Sequence, residues 1–158
     1  MQRRHADLRL VFAGGSCLAD RSLALLAQKL GINKSIRDLG QIKDEELLGA
    51  YNAAEMLILP SYYEGFGFPV LEAMACGVPT VVSSGGSLPE VAGDASLICD
   101  PKEPDSFVAA IETVLSDTDV RSRLIGLGRQ RAKQFSWTET GKQTLKVYEQ
   151  VIAKCGVN

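Results

Sequence analysis

The sequence lacks any long hydrophobic run. No stretch of its 158 residues stays apolar for the roughly 18 to 20 residues that a membrane-spanning helix requires. Residues 1–7 are also too polar for the apolar segment of a secretory signal peptide. We therefore expect a chain without a transmembrane segment and with a cytoplasmic location.

Cysteine is scarce, and its few positions are scattered. The four cysteines, Cys17, Cys76, Cys99 and Cys155, have no paired spacing, so neither a disulfide framework nor a cysteine-based metal site is expected. Cys76 and Cys99 lie in apolar runs, which predicts buried thiols that act as small hydrophobic side chains. This usage is typical of a reducing cytoplasm.

The chain also lacks a strong net charge of either sign. It has 17 basic and 19 acidic residues, a formal net charge of −2, so no electrostatic argument favours nucleic acid or an anionic membrane as a partner. With 46% hydrophobic and 23% charged residues, the composition is that of an ordinary globular protein. We predict a polar tail over residues 1–7 and one domain over residues 8–154, with its C-terminal helices beginning at about residue 105.

What the sequence does contain is an alternation of strand-like and helix-like segments. Strands are predicted at Leu8–Ala13, Ile36–Leu39, Met56–Leu59, Pro79–Ser83 and Ser96–Cys99. Helices are predicted at Asp20–Leu30, Asp44–Ala54, Pro69 onward, Pro89–Ala92, Asp105–Leu115, Asp119–Gln134 and Trp137–Lys154. This order predicts an α/β fold, a Rossmann-like parallel sheet with helices on both faces. Because ligands bind such sheets beyond the carboxyl ends of the strands, the loops after the first four strands are expected to surround one crevice.

The most informative stretch follows the strand at Met56–Leu59. Gly65 and Gly67 form a glycine-rich turn, and Pro69 predicts the start of a short helix. A strand, a glycine turn and a helix N-terminus together favour anion binding, because the free backbone N–H groups point toward the ligand. The N–H groups of residues 66–70, Pro69 excepted, are therefore candidate ligands for a phosphate.

Two carboxylates flank this turn. Glu64 precedes it, Glu72 follows it, and seven residues lie between them. On the first turn of the predicted helix, the Glu72 side chain would tilt toward the N-terminus and face the same crevice as the turn. Ionised carboxylates only accept hydrogen bonds, which suits them to the neighbouring hydroxyls of a sugar. The spacing alone favours a plainer interpretation, namely two surface carboxylates that stabilise a helix start.

Taken together, these residues resemble the signature of a known family. Pro60-Ser61, Glu64-Gly65-Phe66-Gly67, Pro69, Leu71-Glu72-Ala73-Met74-Ala75, Gly77 and Pro79 are similar to the Glu-x7-Glu pattern of retaining nucleotide-sugar glycosyltransferases. The match is best with the group 1 family (family 4), whose members have the two-domain GT-B fold, and it extends from about Leu8 to Val151. The resemblance implies the C-terminal, donor-binding half of such an enzyme. Its substrate would be a nucleoside diphosphate sugar such as a UDP- or GDP-sugar, and no metal or other cofactor would be needed.

The resemblance also implies roles for individual residues. Glu64 would be the catalytic residue, close to the anomeric carbon of the transferred sugar, and Glu72 would bind the ribose hydroxyls. The other donor-binding residues implied are Gly65, Phe66, Gly67, Phe68 and Val70 in the turn, Gly40, Gln41 and Ile42 against the nucleotide base, and Gly14. For Gly40, Gln41 and Ile42 a plain strand-to-helix turn explains the sequence equally well, and Gly14 also suits turn geometry whatever binds.

The chain departs from the family pattern at its beginning. Only seven residues precede Leu8, so the strand and the Arg- and Lys-bearing loop that usually come first are missing, and the sheet is expected to lack its usual first strand. The acceptor-binding N-terminal GT-B domain is missing too, and His5 is a poor substitute for its histidine. We therefore expect little or no transfer activity from this chain alone. Two alternatives are a non-catalytic nucleotide-sugar-binding module that needs a separate N-terminal domain, and a truncated remnant without a ligand.

Four further patterns have structural explanations. Asp117-Thr118-Asp119 matches the metal-binding Asp-x-Asp motif of a different sugar-transferase fold, but Asp and Thr commonly cap helices, and a cap is expected here. The basic residues over 121–133 predict a solvated helix face. The segment containing Gly85 and Gly86 resembles a family loop and is predicted to be structural. The last helix has an apolar stripe that predicts contact with an N-terminal domain or self-association, formed by Leu145, Val147, Tyr148, Val151 and Ile152.

Overall fold

The structure is a computed structural model that describes residue 5, residues 7–15 and residues 21–155. The chain divides into two compact units, an N-terminal unit (Met1–Ala54) and a C-terminal unit (Glu55–Asn158). Among the described residues, no helix combines the length and the apolar character needed to span a bilayer.

The described residues of the N-terminal unit form a two-stranded parallel sheet and two helices. Its elements are β1 (Leu10–Phe12), α1 (Arg21–Lys29), a single 3-10 turn (Asn33–Ser35), β2 (Ile36–Asp38) and α2 (Asp44–Ala53). Leu10 of β1 lies opposite Ile36 of β2. Ile36, Ala27 of α1 and Tyr51 of α2 are buried. Both strands and both helices are found where the sequence predicts them, although each strand is shorter.

The C-terminal unit contains a three-stranded parallel sheet in the order β3-β4-β5. Its elements are β3 (Leu57–Leu59), α3 (Phe68–Ala75), β4 (Thr80–Ser83), α4 (Leu88–Ala92), β5 (Ser96–Cys99), α5 (Pro104–Ser116), α6 (Thr118–Ala132) and α7 (Trp137–Cys155). The predicted α/β class, with parallel strands separated by helices, is confirmed.

The central strand β4 explains why helices cover both faces of this sheet. All four of its residues are buried, and successive side chains of a strand point to opposite faces. Val82 packs in one cluster with Val70 of α3 and Leu88 of α4. Val81 packs in a second cluster with Val114 of α5 and Leu124 of α6. A strand whose residues are all buried is typical of a parallel sheet that is covered on both sides.

The basic helix α6 is more than the solvated face that the sequence predicts. Arg131 donates from Nε to the carbonyl oxygen of Val91 at 3.0 Å and from Nη2 to that of Glu90 at 2.6 Å. These two carbonyls belong to the last turn of α4, where a helix has no partners of its own for its carbonyl groups. Arg121 forms an ion pair with Glu55 at 2.9 Å. Arg121 and Arg131 of α6 therefore hold parts of the C-terminal unit together.

The Asp-x-Asp motif is a helix cap, as the sequence predicts. Asp117 Oδ1 accepts hydrogen bonds from the backbone N–H groups of Asp119 at 3.0 Å and Val120 at 2.9 Å. A carboxylate in this position satisfies two of the amides that a helix start leaves without partners. The motif is thereby explained by the start of α6.

The prediction that both internal cysteines are buried is correct for one of them. Cys99 on β5 is buried, whereas Cys76 is only half-buried. Cys76 lies at the C-terminal cap of α3, where the chain turns away from the helix, and this position leaves its side chain partly at the surface. Its neighbour Ala75 is exposed as well, so the apolar run does not keep the cap of α3 in the core.

Burial of Cys99 has a consequence at alkaline pH. Burial raises the pKa of the Cys99 thiol above its ordinary value of 9.0, and a hydrogen bond to Ser106 offsets part of the increase. An unfolded thiol ionises first, so the stabilising contribution of the neutral buried thiol is complete below pH 9 and is lost as the pH rises through the folded pKa. Compared with Cys99→Ala, the wild-type chain should lose free energy of unfolding as the pH rises above about 9 in denaturant titrations. The other thiols are present in both proteins, so their contributions cancel in the comparison. A difference in the free energy of unfolding between wild type and Cys99→Ala that stays constant with pH would contradict the prediction.

Candidate functional site

The candidate site lies at the carboxyl-terminal edge of the three-stranded sheet. Residues 60–67 connect β3 to α3 and are called the glycine loop below; residues 84–87 connect β4 to α4 and are called the β4–α4 loop. Because β3 and β4 are adjacent and parallel, both loops leave the same edge of the sheet. This is the edge at which parallel α/β sheets bind their ligands.

The β4–α4 loop holds the glycine loop through its carbonyl groups. Ser83 Oγ, at the end of β4, donates a hydrogen bond to the carbonyl oxygen of Ser61. The N–H group of Ser87 donates to the carbonyl oxygen of Glu64 at 3.1 Å. The Ser87 hydroxyl lies 3.0 Å from the same oxygen and 2.9 Å from the carbonyl oxygen of Phe66. Three peptide groups of the glycine loop are therefore fixed from one side.

Two glycines allow this close contact between the loops. A Cβ atom on Gly85 would lie 2.8 Å from the carbonyl oxygen of Ser61, and one on Gly86 would lie 2.8 Å from the backbone nitrogen of Glu64. Gly86 also has a φ of +57°, a conformation that residues with a Cβ atom rarely adopt. The segment has the structural role that the sequence predicts, and its role is to support the glycine loop.

The side chain of Glu64 is oriented by its own loop. Ser61 Oγ donates a hydrogen bond of 2.8 Å to Glu64 Oε1, and the Glu64 side chain is half-buried. Ser61 is itself fixed, because its carbonyl group accepts the bond from Ser83. The carboxylate is thus held on the glycine loop by one short hydrogen bond, and its second oxygen can accept bonds from a ligand.

The start of α3 differs by one residue from the prediction, and this moves Glu72. Gly67 is the N-terminal cap with a φ of +98°, so the helix begins at Phe68 and Pro69 is its second residue. Glu72 is then the fifth residue of α3 and lies in the second turn, not in the first as predicted; its side chain is exposed. Charge–dipole stabilisation fades beyond the first turn of a helix. The plainer explanation of Glu72, a carboxylate that stabilises a helix start, is weakened accordingly.

The backbone N–H groups of the glycine loop differ in their availability. Val70 N–H donates to the carbonyl oxygen of Gly67 at 3.0 Å, within the first turn of α3. The N–H groups of Gly65, Phe66 and Gly67 donate to no acceptor among the described residues. These three amides can bind a ligand, and so can the predicted Phe68 N–H, which likewise has no acceptor among the described residues.

Aromatic rings surround the end of the glycine loop. Phe66 and Phe68 have ring centroids 4.7 Å apart, and Phe66 meets Phe135 edge-on at 5.9 Å. Trp137, the first residue of α7, stacks on Phe68 with a centroid distance of 6.0 Å, and 78% of its surface is exposed. The glycine turn predicts a role for the amides of Phe66 and Phe68, but no local pattern predicts that their rings contact Phe135 and Trp137, which follow α6.

The other predicted site residues belong to two loops of the N-terminal unit. Gly14 follows β1 and Gly40 follows β2, and Gly14 N–H donates to the Gly40 carbonyl oxygen at 2.9 Å. Gly40 N–H in turn donates to Asp38 Oδ1 at 2.9 Å. Both glycines have positive φ angles, 101° and 61°, so turn geometry accounts for their presence. A role in donor binding for Gly14, Gly40, Gln41 and Ile42 stays a prediction.

A surface depression in the described part of the C-terminal unit provides a second place for a small molecule. It is lined by Gly93, Asp94, Leu127, Arg131 and Gln134. Arg131 already donates to two backbone carbonyls and to Gln134 Oε1. The guanidinium group that lines this depression is thus already bonded to protein acceptors, in contrast to the amides of the glycine loop.

Comparison with protein families and with individual relatives gives one consistent result. The family model described as "Glycosyl transferases group 1" matches residues 1–131. The O-antigen chain mannosyltransferase B of Escherichia coli is 48% identical over 114 residues, which are 72% of this chain and 30% of that protein. A D-inositol 3-phosphate glycosyltransferase of Corynebacterium jeikeium is 36% identical over 151 residues, or 92% of this chain and 36% of that protein. The chain thus spans about a third of the length of these relatives.

Solved structures share the fold. Sucrose-phosphate synthase from Thermosynechococcus elongatus superposes with a TM-score of 0.82 at 31% identity, covering 92% of this chain and 39% of that one. Anabaena HepE, in complex with UDP and glucose, has a TM-score of 0.80 at 22% identity and covers 90% of this chain and 40% of its own. The C-terminal domain of the group 1 protein LpcC from Francisella tularensis has a TM-score of 0.74 at 24% identity, covering 84% of this chain and 72% of that domain.

Proposed function

The chain belongs to the group 1 glycosyl transferases, and from this premise we propose that it binds the nucleoside diphosphate sugar for a retaining glycosyl transfer. Its fold corresponds to the C-terminal half of the GT-B architecture. The observation that carries the proposal is the glycine loop, in which Glu64 is oriented by Ser61 and three amides have no protein acceptor among the described residues. HepE, one of the structural neighbours, binds UDP-glucose, which makes UDP-sugars the first donors to test.

In this proposal, different residues of the site contact different parts of the donor. The amides of Gly65, Phe66 and Gly67 bind the phosphate next to the sugar, because backbone N–H groups at a helix start stabilise negative charge. They stabilise the departing diphosphate in the same way, as fixed dipoles that need no reorganisation during the reaction. Glu64 contacts the transferred sugar close to its anomeric carbon, and Glu72 binds the ribose hydroxyls.

The acceptor belongs to a part of the enzyme that this chain does not supply. Glycosyl transfer requires donor and acceptor to be aligned together, and the chain spans about a third of its relatives' length. We therefore propose that the chain binds the donor but transfers sugar only together with an N-terminal GT-B domain. The same partial coverage supports the second candidate, a nucleotide-sugar-binding module that works with a separate N-terminal subunit.

The last helix offers a surface for that N-terminal domain or for self-association. The side chains of α7 over residues 137–154 are exposed. Its apolar stripe is exposed by 57% at Leu145, 62% at Tyr148 and 54% at Ile152. Apolar side chains arranged as a stripe on one helix commonly mark a contact surface.

Replacement of Glu72 tests the proposed function. Isothermal titration of the chain with UDP, GDP and ADP, free and sugar-linked, should give saturable binding for at least one of these nucleotides. Glu72→Ala should weaken that binding by about 10- to 100-fold, because a hydrogen bond to a charged group contributes about 1.5–3 kcal/mol. Glu149→Ala removes an exposed carboxylate on α7 and should leave the affinity unchanged.

Each other outcome of this titration has a defined meaning. The absence of binding at millimolar concentrations of all three nucleotides would contradict the proposal and favour a remnant without a ligand. Binding that Glu72→Ala does not weaken would remove Glu72 from the donor site. Transfer activity that appears only after a separately expressed N-terminal domain is added would identify a split enzyme.

A further inference from the structure

We propose that Ser87 is a positioning residue that turns the amides of Gly65 and Gly67 toward the donor's phosphates. The inference rests on the proposed function of the glycine loop. It follows from the bonds that Ser87 makes to the carbonyl oxygens of Glu64 and Phe66, at 2.9–3.1 Å. Each of these carbonyls shares a peptide group with the amide of the glycine that follows it.

The direction of each bonded carbonyl group fixes the direction of the N–H bond in the same peptide group. In a trans peptide the C=O and N–H bonds point in opposite directions across a plane, and the described residues contain no cis peptide bond. The Glu64 carbonyl points at Ser87, so the Gly65 N–H points away from it. The Phe66 carbonyl also points at Ser87, and the Gly67 N–H therefore points away as well. Both amides therefore point away from Ser87, which is the direction in which the proposal places the phosphates.

The hydroxyl group of Ser87 does not cap the helix at whose N-terminus it lies. Ser87 is the N-terminal cap residue of α4, where a serine hydroxyl normally accepts a hydrogen bond from an amide of the first turn. No such capping bond is made by Ser87. Its hydroxyl instead contacts the glycine loop, whose residues lie 21 and 23 positions earlier in the chain. The side chain is half-buried, which reduces competition from water for these bonds.

Removal of the hydroxyl should affect the two peptide groups unequally. In Ser87→Ala the Glu64 carbonyl keeps its bond from the Ser87 N–H group, so the Gly65 amide stays oriented. The Phe66 carbonyl loses its bond from the hydroxyl, and the peptide that contains the Gly67 N–H becomes free to rotate. The loss should therefore appear in contacts to the phosphate next to the sugar and not in contacts to the nucleoside.

The test compares nucleoside diphosphates with monophosphates. Affinities for UDP and UMP, GDP and GMP, and ADP and AMP are measured by calorimetry for the wild-type chain, Ser87→Ala and Ser87→Thr. Ser87→Ala should weaken diphosphate binding by about tenfold, the value of one charge-assisted hydrogen bond, and change monophosphate binding less than about twofold. Ser87→Thr retains the hydroxyl and should restore diphosphate binding. Equal losses for both ligand classes, or no loss, would overturn the proposal.

Amide spectra of the free chain separate this inference from the proposed function. In Ser87→Ala the resonance of the Gly67 amide should shift or broaden, whereas that of Gly65 should change little. If Ser87→Ala fails to fold, Ser87→Cys provides a variant of nearly the same volume with a much weaker donor. An unchanged Gly67 resonance would overturn the positioning role even if the wild type binds nucleotide. A wild-type chain that binds no diphosphate would refute the proposed function. The Gly67 resonance of Ser87→Ala would still show whether Ser87 orients that amide.

Discussion

Replacement of Gly67 by alanine should destabilise the C-terminal unit by about 2–5 kcal/mol. Gly67 has a φ of +98°, and an added Cβ would lie 2.6 Å from Leu88 Cδ2. Left-handed backbone costs a residue with a Cβ about 1–2 kcal/mol, and overpacking a tight core costs about 1–3 kcal/mol. Leu88 is fully buried and has little freedom to move aside. Urea denaturation followed by circular dichroism measures the change.

Gly65 provides the matched control in the same loop. It has no positive φ, and a Cβ placed on it would have no atom within 4 Å. Gly65→Ala should therefore change the free energy of unfolding by less than about 0.5 kcal/mol. Similar losses in both variants would show that the helix start at Gly67 is not constrained as the structure describes.

Replacement of Gly86 by alanine should lower both stability and nucleotide affinity. Gly86 has a φ of +57°, and an added Cβ would lie 2.8 Å from the Glu64 nitrogen and closer still to its carbonyl oxygen. Backbone atoms held by hydrogen bonds cannot yield as a flexible side chain does, so we expect a loss of about 2–4 kcal/mol. The glycine loop must also shift away from Ser87, so diphosphate binding measured by calorimetry should fall at least about tenfold.

Replacement of a glycine on α6 by alanine should stabilise the chain, whereas Gly86→Ala should destabilise it. Gly126 is exposed on the helix, and a Cβ on it would meet no atom within 4 Å. Gly126→Ala should increase the free energy of unfolding by about 0.5–1 kcal/mol, because alanine loses less backbone entropy in a helix. A neutral or stabilising effect of Gly86→Ala would contradict the description of the two loops as closely packed.

Local patterns in the sequence were sufficient to predict the order and type of the elements. The β-branched run that forms β4 predicts a buried strand because such side chains suit a sheet covered on both faces. Pro69 and Gly77 similarly mark the two ends of α3 to within one or two residues. The choice of Glu64 needed the family resemblance, since the spacing of Glu64 and Glu72 alone favoured surface carboxylates. The strand, the glycine turn and the helix start predicted anion-binding amides without that resemblance.

The features that the sequence could not predict depend on contacts between distant residues. The local sequence predicts Ser87 as a helix cap. Its hydroxyl contacts the glycine loop because the two loops pack against each other. Arg131 reads as one of several solvated basic residues, but its bonds reach 40 and 41 positions back along the chain. The displacement of Glu72 to the second turn depends on the left-handed conformation of Gly67, which sequence allows but does not require.

The central claim is that the glycine loop binds the diphosphate of a sugar donor. The most direct measurement follows the backbone amide resonances of the chain while UDP, GDP or ADP is added. The resonances of Gly65, Phe66 and Gly67 should show the largest saturable shifts, with the affinity that calorimetry gives for the same nucleotide. Saturable shifts confined to the depression around Gly93 and Gln134, with the glycine loop unchanged, would contradict the claim.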